Sequence, residues 1–180
     1  MAASPMAAKI FMIVSVMLFA MAPAAAGERY GFGRTPTPAE IAQWNIDVSP
    51  DGTGLPSGLG SVREGQIIYE SRCAACHGDR GQGGPMDKLA GGMGTLETKK
   101  PVKTVGSFWP FTTTLYDFVR RAMPFDAPQS LSASETYAVC AYVLYLNGLL
   151  SDDATLDASS LPKIKMPNRD AFISAYTAPH

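Results

Sequence analysis

The stretch Cys73-Ala74-Ala75-Cys76-His77-Gly78, "CAACHG", decides how this chain is read. Two cysteines stand three positions apart, and a histidine follows the second directly. A zinc site, a redox dithiol and a covalently held prosthetic group all use a spacing of this kind. A zinc ribbon or finger needs four ligands, usually as two pairs. The remaining candidates are Cys140, inside an apolar stretch, and His180, the last residue. They do not make a second pair. A thioredoxin-like dithiol needs a βαβ setting, which the chain lacks, and has no use for the histidine.

C-x-x-C-H is the attachment pattern of c-type haem. Each cysteine adds its sulfur across one haem vinyl group, forming a thioether. The short turn between them brings the next residue under the iron, so His77 supplies the proximal nitrogen. Cys73 and Cys76 are therefore the covalent anchors of one haem c, and His77 is an axial ligand.

The first 26 residues agree with that chemistry. They hold one cation, Lys9, a mostly apolar run over residues 10–20, and Ala24 and Ala26 as an A-x-A cleavage signal. The run is short for a bilayer span, which needs about 20 residues. Residues 1–26 thus read as a signal peptide, with an uncleaved anchor as the alternative. Export to the periplasm follows, with no membrane span after cleavage. The formal net charge of −1 gives no basic character that would argue for nucleic acid.

Residues 27–60 are rich in Gly and Pro and read as a strap. Inside them Thr37, Pro38 and Glu40 mark a short helix running through Trp44. The main domain, 61–150, opens on Ser61 and Glu64 as a capping box. Val62, Gly65, Tyr69 and Arg72 share one helical face, with Ile68 beside it. Gly65 costs about 1 kcal/mol relative to Ala inside a helix, which a close helix approach would justify. Residues 78–110 read as a long glycine-rich loop, of the kind that wraps something. Residues 112–123 form a helix capped by Thr112 or Thr113, with Arg120 and Arg121 at its C-terminal end and Pro124 stopping it. The strongest helix begins at Ser132 and Glu135. Tyr137, Val139, Cys140, Val143, Leu144 and Leu146 make its apolar face, and Asn147-Gly148 closes it. Residues 151–180 read as an extended tail. Few helices and much loop leave a thin core, which a buried prosthetic group would complete.

The iron takes a second axial ligand, and a Met/His pair raises the potential as in electron carriers. Beyond residue 26 the methionines are Met86, Met93, Met123 and Met166. Met86 is too near His77 to reach the opposite face. Met123, at a helix end before a proline, is the preferred ligand, with Met166 or Met93 as runners-up. Cys140 reads as a small buried hydrophobe.

These residues together resemble the class I cytochromes c. The resemblance rests on "CAACHG", the glycine loop with Pro85, the pair Met123-Pro124 and "LSASETYAVCAYVLYLNG" over 131–148. It implies a mostly α fold in which the N- and C-terminal helices cross, here at Gly65 and Tyr142. It also implies that the Pro85 carbonyl accepts the His77 N–H and orients the ring. A narrower similarity covers 31–58, 105–131 and 161–172. Those segments look like the cytochrome subunit of periplasmic sulfane or sulfite dehydrogenases of the sulfur-oxidation type. Longer members of that group carry two cytochrome domains, and this chain has one haem motif.

The similarity implies an electron-transfer subunit rather than a catalyst. It would accept electrons from a molybdenum-cofactor dehydrogenase subunit and pass them to a downstream acceptor cytochrome. Alternatives are a haem subunit or soluble carrier for another periplasmic dehydrogenase, or a haem enzyme with an open or Cys-ligated iron. No acid–base or nucleophile constellation is evident, so no catalytic residue is assigned. Trp109 is a candidate donor to a haem propionate, since a buried indole N–H needs a partner. Lys88, Lys99, Lys100, Lys103, Arg120 and Arg121 gather in sequence around the loop. They read either as a steering patch for an acidic partner or as a solvated face.

Overall fold

The computed structural model describes residues 32–173. The expected signal segment and His180 lie outside them. The chain divides between Glu40 and Ile41 into two compact units. In the first, Thr37 Oγ1 accepts the Glu40 N–H at 3.3 Å, and the Glu40 carboxylate accepts the Thr37 N–H at 2.8 Å. This is the expected capping box, and it starts helix α1, Pro38–Trp44. Arg34 pairs with the same carboxylate, which is held down to about 2 by that partner and by Thr37. Helix α1 buries none of its residues.

The second unit carries strand β1 (Leu59–Ser61), helices α2 (Val62–Arg72), α3 (Ala74–His77), α4 (Val105–Phe108), α5 (Thr112–Ala122) and α6 (Ala133–Leu146), strand β2 (Thr155–Asp157) and a 3-10 turn, Leu161–Lys163. Its architecture is mostly α, as expected. Both predicted boxes are present on α2 and α6. Ser61 and Ser132 each accept the N–H of the glutamate three residues on at 3.2 Å, and the glutamate accepts in return at 2.8 Å. Each box satisfies two backbone donors that a helix start leaves without partners.

Helix α6 is the centre of the core. Every residue from Thr136 to Leu144 is buried, so the helix is covered all round rather than along one face. Helix α2 crosses it with Val62, Gly65 and Tyr69 inward. A Cβ on Gly65 would overlap the Ala138 carbonyl and come within 2.9 Å of Tyr142 Cβ. The crossing is backbone against backbone, and the Tyr69 and Tyr142 rings pack beside it at a tilt, with centroids 5.2 Å apart and planes at 58°. Arg72 departs from the expected inward face. It is exposed and donates to Ser130 Oγ at 2.8 Å.

Three further expectations are corrected. Neither Thr112 nor Thr113 caps α5. The N-cap is Phe111, without a side-chain bond, and both threonines lie buried inside the first turn. Their hydroxyls serve other segments: Thr112 donates to the Leu161 carbonyl at 2.6 Å and Thr113 to the Pro50 carbonyl at 3.4 Å. The loop 78–110 contains α4, opened by a reciprocal box between Thr104 and Ser107. The tail is not merely extended. Strand β2 pairs antiparallel with β1, in the register Leu59–Asp157, Gly60–Leu156 and Ser61–Thr155. Leu156, Leu161 and Met166 are buried in the same core as α6. The strap too is bonded to this body: Tyr137 donates to the Pro56 carbonyl at 2.9 Å. Among the described residues no helix is long and apolar enough to cross a membrane.

Candidate functional site

Helix α2 ends at Cys73, whose N–H still donates to the Tyr69 carbonyl at 2.8 Å. A single turn, α3, follows immediately and carries Cys76 and His77. The Cys76 and His77 N–H groups both return to the Cys73 carbonyl, at 3.1 and 3.0 Å. One helical turn therefore puts the two sulfurs and the imidazole on neighbouring positions. Gly78 ends it at φ 79°, and its missing Cβ leaves room for the Gly83 carbonyl and the Gln82 side chain. The Tyr69 hydroxyl donates to the Gly78 carbonyl at 2.9 Å, tying the turn back to α2. That anchor was hidden in the sequence, although Tyr69 stands four residues before Cys73 and so on the same helical side.

The loop beyond folds under the turn. Gly83 N–H donates to the His77 carbonyl at 2.8 Å, and Met86 N–H to the Cys76 carbonyl at 3.0 Å. This brings the Asp87 carbonyl to 2.8 Å from His77 Nδ1. The expected acceptor was Pro85, two residues earlier. Pro85 is exposed, and the turn it makes delivers Asp87 instead. The physical role is the one anticipated. A carbonyl on Nδ1 fixes the tautomer with the proton there and leaves Nε2 as the free donor for a metal.

Cys73 and Cys76 are free thiols, Cys73 half-buried and Cys76 exposed. Burial pushes the Cys73 thiol up to about 11. Cys140 is fully buried in α6, and burial alone drives its thiol well upward. A thiolate there would be costly, as expected for a cysteine that serves as packing. Among the described residues no three His, Cys, Asp or Glu side chains converge as a metal cage.

The methionines divide by burial. Met86 and Met93 are 51% and 49% exposed on the loop. Met166 is 0% exposed, enclosed by the core. Met123 is half-buried and forms the C-cap of α5, its N–H donating to the Val119 carbonyl at 3.1 Å. A haem ligand has protein on one side and the macrocycle on the other, and partial cover by the chain is compatible with that role. Trp109 is also half-buried, edge-on to Phe118 with centroids 5.7 Å apart. Among the described residues its indole N–H has no acceptor. Cys73, Ala74, Leu89, Trp109 and Met123 all pack on the core without being covered by it. This set of incompletely covered apolar groups, with two unbridged thiols and an imidazole held through Nδ1, fits covalently attached haem. Bound haem supplies a one-electron iron couple. The chain's part is to hold the ring, exclude water from one face and orient the proximal nitrogen.

The basic residues separate. Lys88, Lys99, Lys100 and Lys103 are exposed. Arg120 and Arg121 turn instead to the strap, Arg121 pairing with Asp47 and Asp117 at 2.7 and 2.9 Å. Lys103 also lies 4.8 Å over the Phe108 ring. It lines a groove of about 390 Å³ with Leu96, Phe108 and Phe172.

Comparison with known proteins agrees with this geometry. Residues 60–143 match the family described as cytochrome c oxidase, cbb3-type, subunit III. A thiosulfate dehydrogenase of Stutzerimonas stutzeri (strain A1501) is 33% identical over 93 residues, 49% of this chain. The matched part is only 28% of that relative's length. A chain in the crystal structure of the sulfane dehydrogenase SoxCD from Paracoccus pantotrophus is 44% identical, with a TM-score of 0.76. That match covers 81% of this chain and 72% of the other. Residues 60–143 alone do not reach such coverage, so the likeness takes in flanking segments as well. This chain is a class I cytochrome c, an electron-transfer protein with covalently attached haem c, and it belongs to the family of its counterpart in SoxCD.

Proposed function

We propose that this chain is the exported haem subunit of a sulfur-oxidising dehydrogenase. In this reading a molybdenum-cofactor subunit oxidises a sulfite or sulfane group, and this chain would relay the released electrons one at a time, through the one-electron couple of its haem, to an acceptor cytochrome. Cys73 and Cys76 hold the haem, and His77 Nε2 and Met123 are the axial ligands. The observation that carries the reading is the 44% identity to a SoxCD chain over 81% of this one. That extent exceeds what a shared cytochrome core requires. The strap, 27–60, and the tail, 151–180, are on this view the parts that fit the domain, 61–150, to its larger partner. Residues 1–26 act as the export signal, and the Trp109 indole N–H serves a haem propionate.

The chain's residues set the properties of the carrier. The Asp87 carbonyl holds the His77 ring through Nδ1 and so orients the proximal nitrogen. The thioether sulfur of the methionine and the apolar surroundings favour the less charged ferrous state, which raises the potential.

The test is the optical spectrum of the protein matured in a host with haem-attachment machinery, beside Met123→Ala. A low-spin ferric spectrum with the near-infrared methionine band, lost in the variant, supports the ligation. A variant that keeps the band removes Met123 and leaves Met93 or Met166. Reduction of the haem by a purified molybdenum subunit with sulfite or thiosulfate tests the partner. The thiosulfate dehydrogenase similarity favours one second reading, a haem enzyme acting by itself. A high-spin ferric spectrum, with sulfur-substrate turnover by this chain alone, would select it.

A further inference from the structure

Residues 46–50 of the strap run across α5, the helix that ends in Met123. Near its last turn the contacts converge on two side chains. Asp117 Oδ1 accepts the Val48 N–H at 3.0 Å and an Arg121 Nη2 proton at 2.9 Å, while Oδ2 accepts the Arg121 Nε proton at 3.2 Å. Arg121 Nη2 also reaches Asp47 Oδ1 on the strap, at 2.7 Å. The fork of one guanidinium thus joins strap to helix two residues before Met123. Arg120 and Thr113 add longer bonds to the Ile46 and Pro50 carbonyls, at 3.5 and 3.4 Å. At the other end of α5, Thr112 is tied to the tail through the Leu161 carbonyl.

We infer that Arg121 and Asp117 are positioning residues for the axial methionine: the clasp they form with strap residues 47–48 fixes the end of α5 and so holds Met123 in place. The inference rests on the ligation proposed above and goes beyond it by giving the strap a task at the iron. The argument is mechanical. Met123 has one backbone tie to the helix, its N–H on the Val119 carbonyl, and Pro124 after it has no N–H to add another. The last turn of a helix frays unless its groups are held from outside. Arg121 supplies that hold with charge-assisted, forked bonds, which are the stronger and more directional kind. A simple i,i+4 pair between Asp117 and Arg121 would support the helix alone. The bonds from Val48 and to Asp47 make it a link between two segments about 70 residues apart in sequence, and it is that link which opposes movement of the helix end.

The experiment uses the haem-loaded protein and the rate at which added imidazole displaces the methionine from ferric iron. Arg121→Gln is expected to raise that rate about tenfold, the size of effect a lost charge-assisted hydrogen bond allows. It should also weaken the near-infrared band. Asp47→Asn, at an exposed site that does not threaten folding, is expected to raise the rate by a smaller factor in the same direction. Arg121→Lys should restore part of it. Thr112→Val serves as the structural control: it lowers the melting temperature through the far end of α5 but leaves the displacement rate at the wild-type value. The inference is overturned if Arg121→Gln and Asp47→Asn both match wild type, or if Thr112→Val raises the rate as much as they do. Met123→Ala keeps the two readings apart. If it loses the band while the clasp variants behave as wild type, only the clasp falls; if it keeps the band, the ligation falls and the clasp with it.

Discussion

Gly65 shows how one missing methyl group positions two helices. Its Cα faces the Ala138 carbonyl, and any side chain there overlaps backbone that has no rotamer to change. Gly65→Ala gains about 1 kcal/mol of helix propensity but must separate α2 from α6. Overpacking of this kind costs about 1–3 kcal/mol, so a net loss in denaturant midpoint is expected, and a gain would show that the crossing is loose. Met166 is the opposite case, a residue whose value lies in filling space. Truncating a fully buried methionine to alanine costs about 2–5 kcal/mol. Met166→Ala is therefore expected to lower the unfolding free energy by that amount while the near-infrared band of the ferric haem stays unchanged. Loss of the band with little loss of stability would make Met166 the ligand instead. His77 depends on neither. Its orientation comes from the Asp87 carbonyl, a backbone group that side-chain substitution leaves in place.

At the scale of elements, the short strand pair joins the two ends of the domain. Strand β2 is held by Asp157, whose Oδ1 accepts from the Ser159 and Ser160 N–H groups at 2.9 and 2.8 Å and from both serine hydroxyls. The Ser160 hydroxyl and then the Ser159 hydroxyl are the main causes that bring the Asp157 carboxyl from 3.8 down to about 2. A carboxyl lowered on folding stabilises the folded state above its unfolded value, and the contribution is lost as pH falls through the folded value. Asp157→Asn keeps an acceptor oxygen but not the charge. The melting temperature of the variant should lie below wild type at pH 5 and above. The gap should close between about pH 4 and pH 2. A gap that persists unchanged to pH 2 would mean that the charge is irrelevant and only the turn geometry counts. Glu64 and Glu135, in the capping boxes, are lowered in the same direction by their serine partners.

For the whole molecule, charge and topology divide the labour. The chain as a whole is nearly neutral, so net charge gives no long-range pull. Lys88, Lys99, Lys100 and Lys103, in the loop that follows the Cys73–His77 turn, are exposed, and among the described residues none of them joins an ion pair. If they steer the proposed dehydrogenase subunit, reduction of the haem by it slows as salt rises, since the Debye length falls from about 10 Å at 0.1 M to about 3 Å at 1 M. Stopped-flow rates at the two salt levels, with Lys99→Glu and Lys100→Glu alongside, check this. Rates independent of salt assign the lysines to solvation. The strap is bonded to α5 near both of its ends, through Thr113 and Arg121, and the tail at its start alone, through Thr112.

By itself the sequence determined what depends on neighbours along the chain. C-x-x-C-H needs only a helical turn, and that turn forms as expected. The serine–glutamate boxes close over three residues, and the glycine in α2 announces a close approach. These features were legible because the groups involved sit within one or two turns of each other. The tertiary structure alone decided what depends on distant segments. The Thr112 and Thr113 hydroxyls looked like caps, yet they bond the tail and the strap, because buried hydroxyls take whichever acceptor packs against them. Strand β2 carries too few residues for an alternating pattern and exists because β1 lies alongside it. Met166 and Met123 are chemically identical in the sequence, and only packing encloses one and leaves the other half-covered. The carbonyl that reaches His77 is Asp87's rather than Pro85's because the path of the loop is set by hydrogen bonds back to Cys76 and His77. No local signal encodes that path.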